Sequence, residues 1–425
     1  MNIFNPRVRK QKLLAVAAFF LLQFVFCFTV NAGENSRSTL LSSKIIAHWS
    51  IDQTNDFFYK SDAIQKLAAL APNQVTELGR ALNGINFYKI VYETTDFKGN
   101  LIIASGLLAI PDKSVIYDRN IKFSLVNYLH GTLFDNKAAP SSIDKCGEAG
   151  LIAFIYAGHG LAAAMPDYTG MGEKQSFHQY LHPESEAIAS ADFLIAVSEF
   201  FEKRKNNISN KILVTGFSQG GQVALALQKE LEKNNINYKF AVAANAPIAG
   251  VYDITAMLKS WIDKPDVWSV PVTLRLFTAY DKIYNLSSDW NNIFKAPYNQ
   301  TAGNLFDNGS TEAELKKVPA DFQNLFTADY LKKLANASNN SADPLIQKFN
   351  KNNILTGANF KAPIRLYHGK SDPVIKYKIA RDAYRFLKAK GAAIELINVG
   401  DDITHIEALI PASIDAKKWF EKINK

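Results

Sequence analysis

The residues best suited to chemistry centre on one serine between two glycines, in the stretch Gly216-Phe-Ser218-Gln-Gly220. The apolar stretch 212–214 before it predicts a short buried strand, and the Ala- and Leu-rich stretch after it predicts a helix. A serine at such a strand–turn–helix junction has a strained backbone and an exposed hydroxyl, and the flanking glycines let strand and helix pass closely. We therefore predict that Ser218 is a nucleophile; an ordinary serine at a helix N-terminus is the alternative.

A serine hydroxyl becomes a nucleophile at neutral pH only when a base accepts its proton, and a carboxylate usually orients that base. Two histidines follow Ser218 in the chain, His368 and His405. His368 stands at the end of a predicted strand, whereas His405 lies on the loop between the last predicted strand and the final helix. That loop is where a base is expected, so the sequence predicts that His405 is the base.

The carboxylate is expected on the loop after the penultimate strand, between the serine and the histidine in chain order. Asp372 lies there, in Lys-Ser-Asp-Pro-Val. Asp401 and Asp402 are nearer to His405 in sequence, but carboxylates on adjacent loop residues more often form turns than reach an imidazole. We predict that Asp372 orients His405.

An enzyme that transfers an acyl group also needs two N–H donors for the negatively charged oxygen of its intermediate. The backbone N–H of Gln219, at the start of the predicted helix, is one candidate. The other is expected on the loop after the strand 121–129, where Thr132 or Leu133 could supply it; we favour Thr132. His130, in the same loop, is expected to be structural.

A second polar cluster, Asp167, His178 and His182, suggests metal binding. The three residues lack the tight spacing of a ligand set, and serine chemistry needs no metal. We predict that they cap helices and pack loops, and that the protein uses neither a metal nor a cofactor.

Strands and helices alternate from residue 121 to 244 and again from 364 to 422, after an antiparallel hairpin at 85–111. This pattern predicts an α/β fold with a mostly parallel central sheet and helices on both faces. The stretch 33–53 is polar and is expected to be irregular. The alternation of strands and helices is interrupted at 250–357. This interruption predicts a largely helical inserted cap between two parts of the core, 33–249 and 358–425.

Four motifs carry a resemblance to a known family. They are Gly216-Phe-Ser-Gln-Gly-Gly221, Asn245-Ala-Pro247, Pro166-Asp-Tyr-x-Gly170-x-Gly172 and Gly369-Lys-Ser-Asp-Pro-Val374. Over about residues 84–420 the chain resembles the secretory lipase family of α/β-hydrolases and its bacterial relatives. The resemblance implies an α/β-hydrolase fold with a helical lid, export, no cofactor, and hydrolysis of carboxylic esters by Ser218, Asp372 and His405 through an acyl-enzyme.

The N-terminus has the pattern of a signal peptide. Basic residues precede the apolar stretch 13–30, and Val30-Asn-Ala32 places small residues at a cleavage site. We predict a signal peptide at 1–32, cleavage after Ala32, and a secreted or periplasmic protein; an uncleaved membrane anchor is the alternative. Cleavage leaves Cys146 as the remaining cysteine, so no internal disulfide is expected.

The formal net charge is +8, but the basic residues are scattered and form no stripe that would indicate nucleic-acid binding. The expected partner is an ester or lipid substrate, with transient contact at a lipid interface; the oligomeric state is left open. Two alternatives keep the same fold: a serine peptidase or aminoacyl amidase, and a binding protein without catalysis.

Overall fold

The structure is a computed structural model that describes residues 40–112, 122–174, 176–234, 238–262, 264–304, 315 and 317–424. The predicted signal peptide and its cleavage site lie outside these residues. No helix in the described part of the chain is long and apolar enough to cross a membrane.

The described residues form one sheet of nine strands in the order β1-β2-β3-β5-β4-β6-β7-β8-β9. The strands are β1 (Leu40–Trp49), β2 (Gly84–Thr95), β3 (Leu101–Asp112), β4 (Lys122–Leu129), β5 (Ala162–Pro166), β6 (Asn207–Phe217), β7 (Ala241–Ile248), β8 (Ile364–His368) and β9 (Ile394–Asn398). The first three strands are antiparallel and join β5 antiparallel, and the pairs from β5 through β9 are parallel. The mostly parallel sheet that the sequence predicts is confirmed.

Helices cover both faces of this sheet, as predicted. They are α1 (Ile51–Tyr59), α2 (Asp62–Ala68), α3 (Pro72–Leu78), α4 (Gly147–Tyr156), α5 (Pro183–Lys203), α6 (Gln219–Lys233), α7 (Ile254–Ile262), α8 (Ser269–Tyr284), α9 (Trp290–Ile293), α10 (Tyr298–Thr301), α11 (Phe322–Leu325), α12 (Ala328–Ala335), α13 (Pro344–Lys351), α14 (Tyr377–Ala389) and α15 (Leu409–Ile423). The apolar side chains of α1, α4 and α15 share one buried cluster, and those of α5 and α6 share another on the opposite face. The sheet thus lies between two apolar layers, which fixes its carboxyl edge as the place where loops can build a site.

The prediction of an irregular segment at 33–53 is wrong for its described part. Strand β1 pairs antiparallel with β2, from Leu40 opposite Tyr92 to Trp49 opposite Ile85. Two irregularities in register interrupt this pairing, and most β1 side chains are partly exposed at the sheet edge. Because an edge strand with bulges has no clean alternation of apolar and polar residues, the sequence pattern could not reveal it.

The stretch between β7 and β8 is helical over most of its described residues, from α7 to α13. The sequence pattern did not indicate its longest helix, α8, for two reasons. Pro271 stands in the first turn, and apolar side chains pack against the helix on several sides, so its sequence shows no separate apolar and polar faces. Phe277 of α8 lies at the centre of an aromatic cluster, with its ring centroid 5.2 Å from that of Phe349 and 5.6 Å from that of Phe326. The limits of a cap at 250–357 stay a prediction.

Candidate active site

Ser218 stands at the turn between β6 and α6. Its φ of 57° and ψ of −115° lie in a region of backbone conformation that residues other than glycine rarely adopt. A Cβ atom on Gly216 would lie 2.3 Å from the carbonyl oxygen of Gly220, and one on Gly220 would lie 1.9 Å from that of Leu129. Both glycines are therefore required for the close approach of strand and helix, and the turn holds the Ser218 hydroxyl at the sheet edge.

The structure brings together the three residues predicted to form the triad. His405 Nε2 lies 2.9 Å from Ser218 Oγ, and His405 Nδ1 lies 2.7 Å from Asp372 Oδ2. His405 and Asp372 are buried, while Ser218 is partly accessible. With Nδ1–H donating to the carboxylate, Nε2 is free to accept the serine proton.

Asp372 is held as a carboxylate. Its Oδ1 accepts the backbone N–H groups of Val374 and Ile375, each at 2.8 Å. Burial alone would raise the pKa of Asp372, but the imidazoles of His405 and His368, together with their hydrogen bonds, lower it well below its ordinary value. An ionised carboxylate is the form that orients an imidazole.

The residues considered as alternatives, His368 for the base and Asp401 for the acid, do not take the positions of His405 and Asp372. His368 is buried at the end of β8, where its Nε2 lies 2.7 Å from the Ile375 carbonyl oxygen and 3.1 Å from Asp372 Oδ2. It therefore braces the carboxylate. Asp401 instead pairs with Lys370 at 2.8 Å on the surface.

Ser218 and His405 open into a cavity of about 540 Å³. Most of its lining is apolar, and it includes Phe57, Ile64, Leu67, Leu151, Phe217, Trp268, Val272 and Leu409. Helices α1, α2 and α8 thus contribute walls that the sequence did not reveal. A largely apolar cavity beside the serine suits a hydrophobic acyl group.

The loop with the second predicted N–H donor lines the same cavity. The carbonyl oxygen of Gly131 lies 2.7 Å from His130 Nδ1, and the Thr132 hydroxyl lies 2.7 Å from the hydroxyl of Tyr180. Because C=O and N–H point in opposite directions across a trans peptide, the His130 contact turns the Thr132 N–H away from the imidazole. Gln219 begins α6, where N–H groups have no partner within the helix.

The Gln219 side chain is tied into a buried network. Its Nε2 lies 2.5 Å from Glu186 Oε1 and 3.1 Å from His178 Nε2. His178 Nδ1 lies 2.9 Å from the Thr169 carbonyl oxygen, so Nδ1 carries the proton and Nε2 accepts. Burial raises the pKa of Glu186 to about 8 and lowers that of His178 well below its ordinary value. This network, which sequence reasoning missed, fixes the residue that follows the serine.

Arg275 of α8 ties the loop 130–134 to the helices between β7 and β8. The buried guanidinium donates from Nη1 to the Leu133 carbonyl oxygen at 2.5 Å and lies over the Tyr180 ring at 4.9 Å. Burial lowers the pKa of Arg275 to about 10, so the group stays charged at neutral pH. Arg275 thus contacts both Leu133 and Tyr180, whose hydroxyl forms a hydrogen bond with the Thr132 hydroxyl.

The three residues considered as metal ligands have separate partners. Asp167 accepts the Ser141 N–H at 2.8 Å, and His182 Nδ1 accepts the Ser185 N–H at the start of α5. Among the described residues, no group of three or more His, Cys, Asp or Glu side chains could hold a metal ion.

His182 allows the effect of a buried, neutral histidine on the pH dependence of stability to be measured. Burial lowers its pKa from 6.5 to about 4, so folding favours the neutral ring, and the stability present above pH 6.5 is lost as pH falls toward 4. His182→Asn keeps a side-chain acceptor for the helix N-terminus but does not titrate. Between pH 7 and 5 the variant should lose about 2 kcal/mol less stability than the unmodified protein. Denaturant unfolding at both pH values measures this; equal losses in the two proteins would contradict it.

Comparisons with known proteins add three kinds of result. The model of the prolyl oligopeptidase family matches residues 150–302. No curated protein matches the chain. A protein from Legionella pneumophila has a similar structure, with a TM-score of 0.78 and 23% identity over 91% of this chain and 98% of that one.

Two further structures are similar. The rice cell wall degrading esterase LipA from Xanthomonas oryzae gives a TM-score of 0.73 at 22% identity, over 90% of this chain and 96% of that one. Candida antarctica lipase A in its closed state gives 0.64 at 12% identity, over 91% of this chain and 81% of that one. By fold, the chain is an α/β-hydrolase. The resemblance to lipases that the motifs indicated is confirmed at the level of the fold.

Proposed function

We propose that this α/β-hydrolase cleaves carboxylic esters through an acyl-enzyme. The observation that carries the proposal is His405, which bridges Ser218 and Asp372 beside a largely apolar cavity. In the proposed reaction Ser218 Oγ attacks the ester carbonyl carbon while His405 Nε2 accepts its proton. The imidazolium then protonates the leaving alkoxide, and water, activated by the same histidine, releases the acid.

The rest of the site supports this reaction. In the tetrahedral intermediate the negative oxygen would accept the N–H groups of Gln219 and Thr132, and Asp372 would stabilise the imidazolium. The apolar cavity would take the acyl chain. The reaction requires neither a metal nor a cofactor. We also propose that the protein is exported by cleavage after Ala32 and that residues 250–357 act as a cap over the site.

A panel of p-nitrophenyl esters of increasing acyl length tests the proposal. Hydrolysis of at least one ester with saturation kinetics is expected, and the preferred length separates a lipase from a short-chain esterase. Failure to hydrolyse any member of the panel would overturn the proposed function.

The match to the prolyl oligopeptidase family favours one alternative, a serine peptidase or aminoacyl amidase with the same triad. The same assay with aminoacyl p-nitroanilides separates the two. Turnover of the anilides without turnover of the acyl esters would favour the peptidase.

The Arg275→Lys substitution tests whether the contacts between α8 and the loop that carries Thr132 matter for catalysis. Lysine keeps the charge but loses the planar group that both donates to Leu133 and packs on Tyr180. We expect kcat for the preferred ester to fall by about 10- to 100-fold, because a misplaced N–H donor stabilises the transition state less, with KM little changed. Arg204→Lys, at a surface arginine that lies over the Phe200 ring, is the matched control; equal kcat in both variants would contradict the prediction.

A further inference from the structure

Glu148 places a carboxylate in the catalytic cavity. Among the described residues that line this cavity, it carries the single carboxylate, and the lining also includes Ser218 and His405. Its side chain is partly accessible, whereas the next two residues of α4, Ala149 and Gly150, are buried. The accessible part of Glu148 therefore faces the cavity.

The two carboxylate oxygens of Glu148 have different surroundings. Oε1 accepts the Gly131 N–H at 2.9 Å and the Tyr128 hydroxyl at 2.8 Å, so it braces the loop next to Thr132. Oε2 accepts no hydrogen bond from any described residue, and it is open to the cavity rather than fully buried. A bound acyl group would exclude water from this charged oxygen, which costs free energy unless that group supplies a donor. One oxygen is structural, and the other is free for a ligand.

The free oxygen lies in the catalytic corner of the cavity. Oε2 is 3.4 Å from the position that a Cβ atom on Gly131 would take, and the Phe217 ring is 3.0 Å from that position. The centroid of the Phe217 ring lies 4.8 Å from that of His405. Because Gly131 directly precedes Thr132, the proposed donor to the oxyanion, a group that binds Oε2 would lie beside the part of the cavity where the carbonyl is attacked.

We propose that Glu148 is a specificity-determining residue that selects esters whose acyl part carries a hydrogen-bond donor, a hydroxyl or an ammonium group, close to the scissile carbonyl. The proposal rests on the ester hydrolase function proposed above. Because a substrate in the cavity displaces water from Oε2, the site discriminates against substrates that leave this acceptor without a donor.

The test compares p-nitrophenyl esters of butyrate, 3-hydroxybutyrate and 3-aminobutyrate at pH 7. For the unmodified protein we expect kcat/KM to be at least about tenfold higher for one of the two donor-bearing esters than for butyrate, because hydrogen bonds to charged groups are among the stronger ones. The hydroxyl and ammonium esters distinguish the two donors. Equal or lower kcat/KM for both donor-bearing esters would overturn the proposal, while hydrolysis of butyrate would leave the ester hydrolase function standing.

Glu148→Gln keeps an oxygen for Gly131 and Tyr128 but removes the charged acceptor. The ratio of kcat/KM between donor-bearing and plain ester cancels any general loss of activity, and it should fall to near one in this variant. Glu230→Gln is the matched control, since Glu230 Oε1 also accepts an amide at 2.8 Å and a tyrosine hydroxyl at 3.1 Å but lies outside the cavity. An unchanged ratio in folded Glu148→Gln protein would show that Glu148 only braces the loop.

Discussion

Ser218→Ala protein should fail to react with a fluorophosphonate probe and should lose ester hydrolysis by roughly 10⁴-fold or more in kcat. In the proposed mechanism the hydroxyl oxygen of Ser218 forms the bond to the acyl group, and alanine has no atom that can form it. Alanine keeps the Cβ atom and so tolerates the positive φ no worse than serine. The loss should therefore appear in activity, while the melting temperature changes little.

Ser198→Ala is the control, because Ser198 is a serine on α5 whose hydroxyl donates to Glu202 at 3.2 Å, away from the cavity. It should label and hydrolyse like the unmodified protein. Labelling that persists in Ser218→Ala protein would place the nucleophile elsewhere.

Asp372→Asn should lower kcat by about 10⁴-fold, with the fold retained. The carboxylate fixes the imidazole with its proton on Nδ1; an amide can donate to Nδ1 instead, which leaves the proton on Nε2 and blocks its role as base. The amide also removes the charge that stabilises the imidazolium. Steady-state kinetics with the preferred ester measures the loss, and near-ultraviolet circular dichroism reports whether tertiary packing is kept.

Asp401→Asn provides the comparison for this variant. Asp401 is closer to His405 in sequence but lies on the surface with Lys370 and Asn398. Its substitution should leave kcat within about twofold, as is usual for exposed positions. A larger loss in Asp401→Asn than in Asp372→Asn would reverse the assignment of the acid.

Local sequence was sufficient for the elements around Ser218. The apolar strand, the two glycines and the Ala- and Leu-rich helix predict the turn, because the backbone conformation there depends on neighbouring residues. Chain order alone indicated the loops that carry Asp372 and His405, and the structure brings both to Ser218. Their catalytic roles stay a prediction.

Contacts between distant parts of the chain could not be predicted in the same way. Strand β1 is recognisable by its pairing with β2 rather than by its own pattern. Glu148 and Phe57 reach the cavity because α1 and α4 pack on the same face of the sheet, and a single sequence carries no signal of that packing. Arg275 was missed for the same reason, since its partner Leu133 lies 142 residues earlier.

The spacing of Ser218 and His405 has a consequence for how activity arises during synthesis. The two residues are 187 positions apart, and β8, Asp372 and His405 all follow the helices that separate β7 from β8. A nascent chain that has been synthesised as far as β7 contains Ser218 without Asp372 or His405. In the proposed mechanism the protein would therefore become active only after its last strands have joined the sheet, so that incomplete chains would not hydrolyse esters.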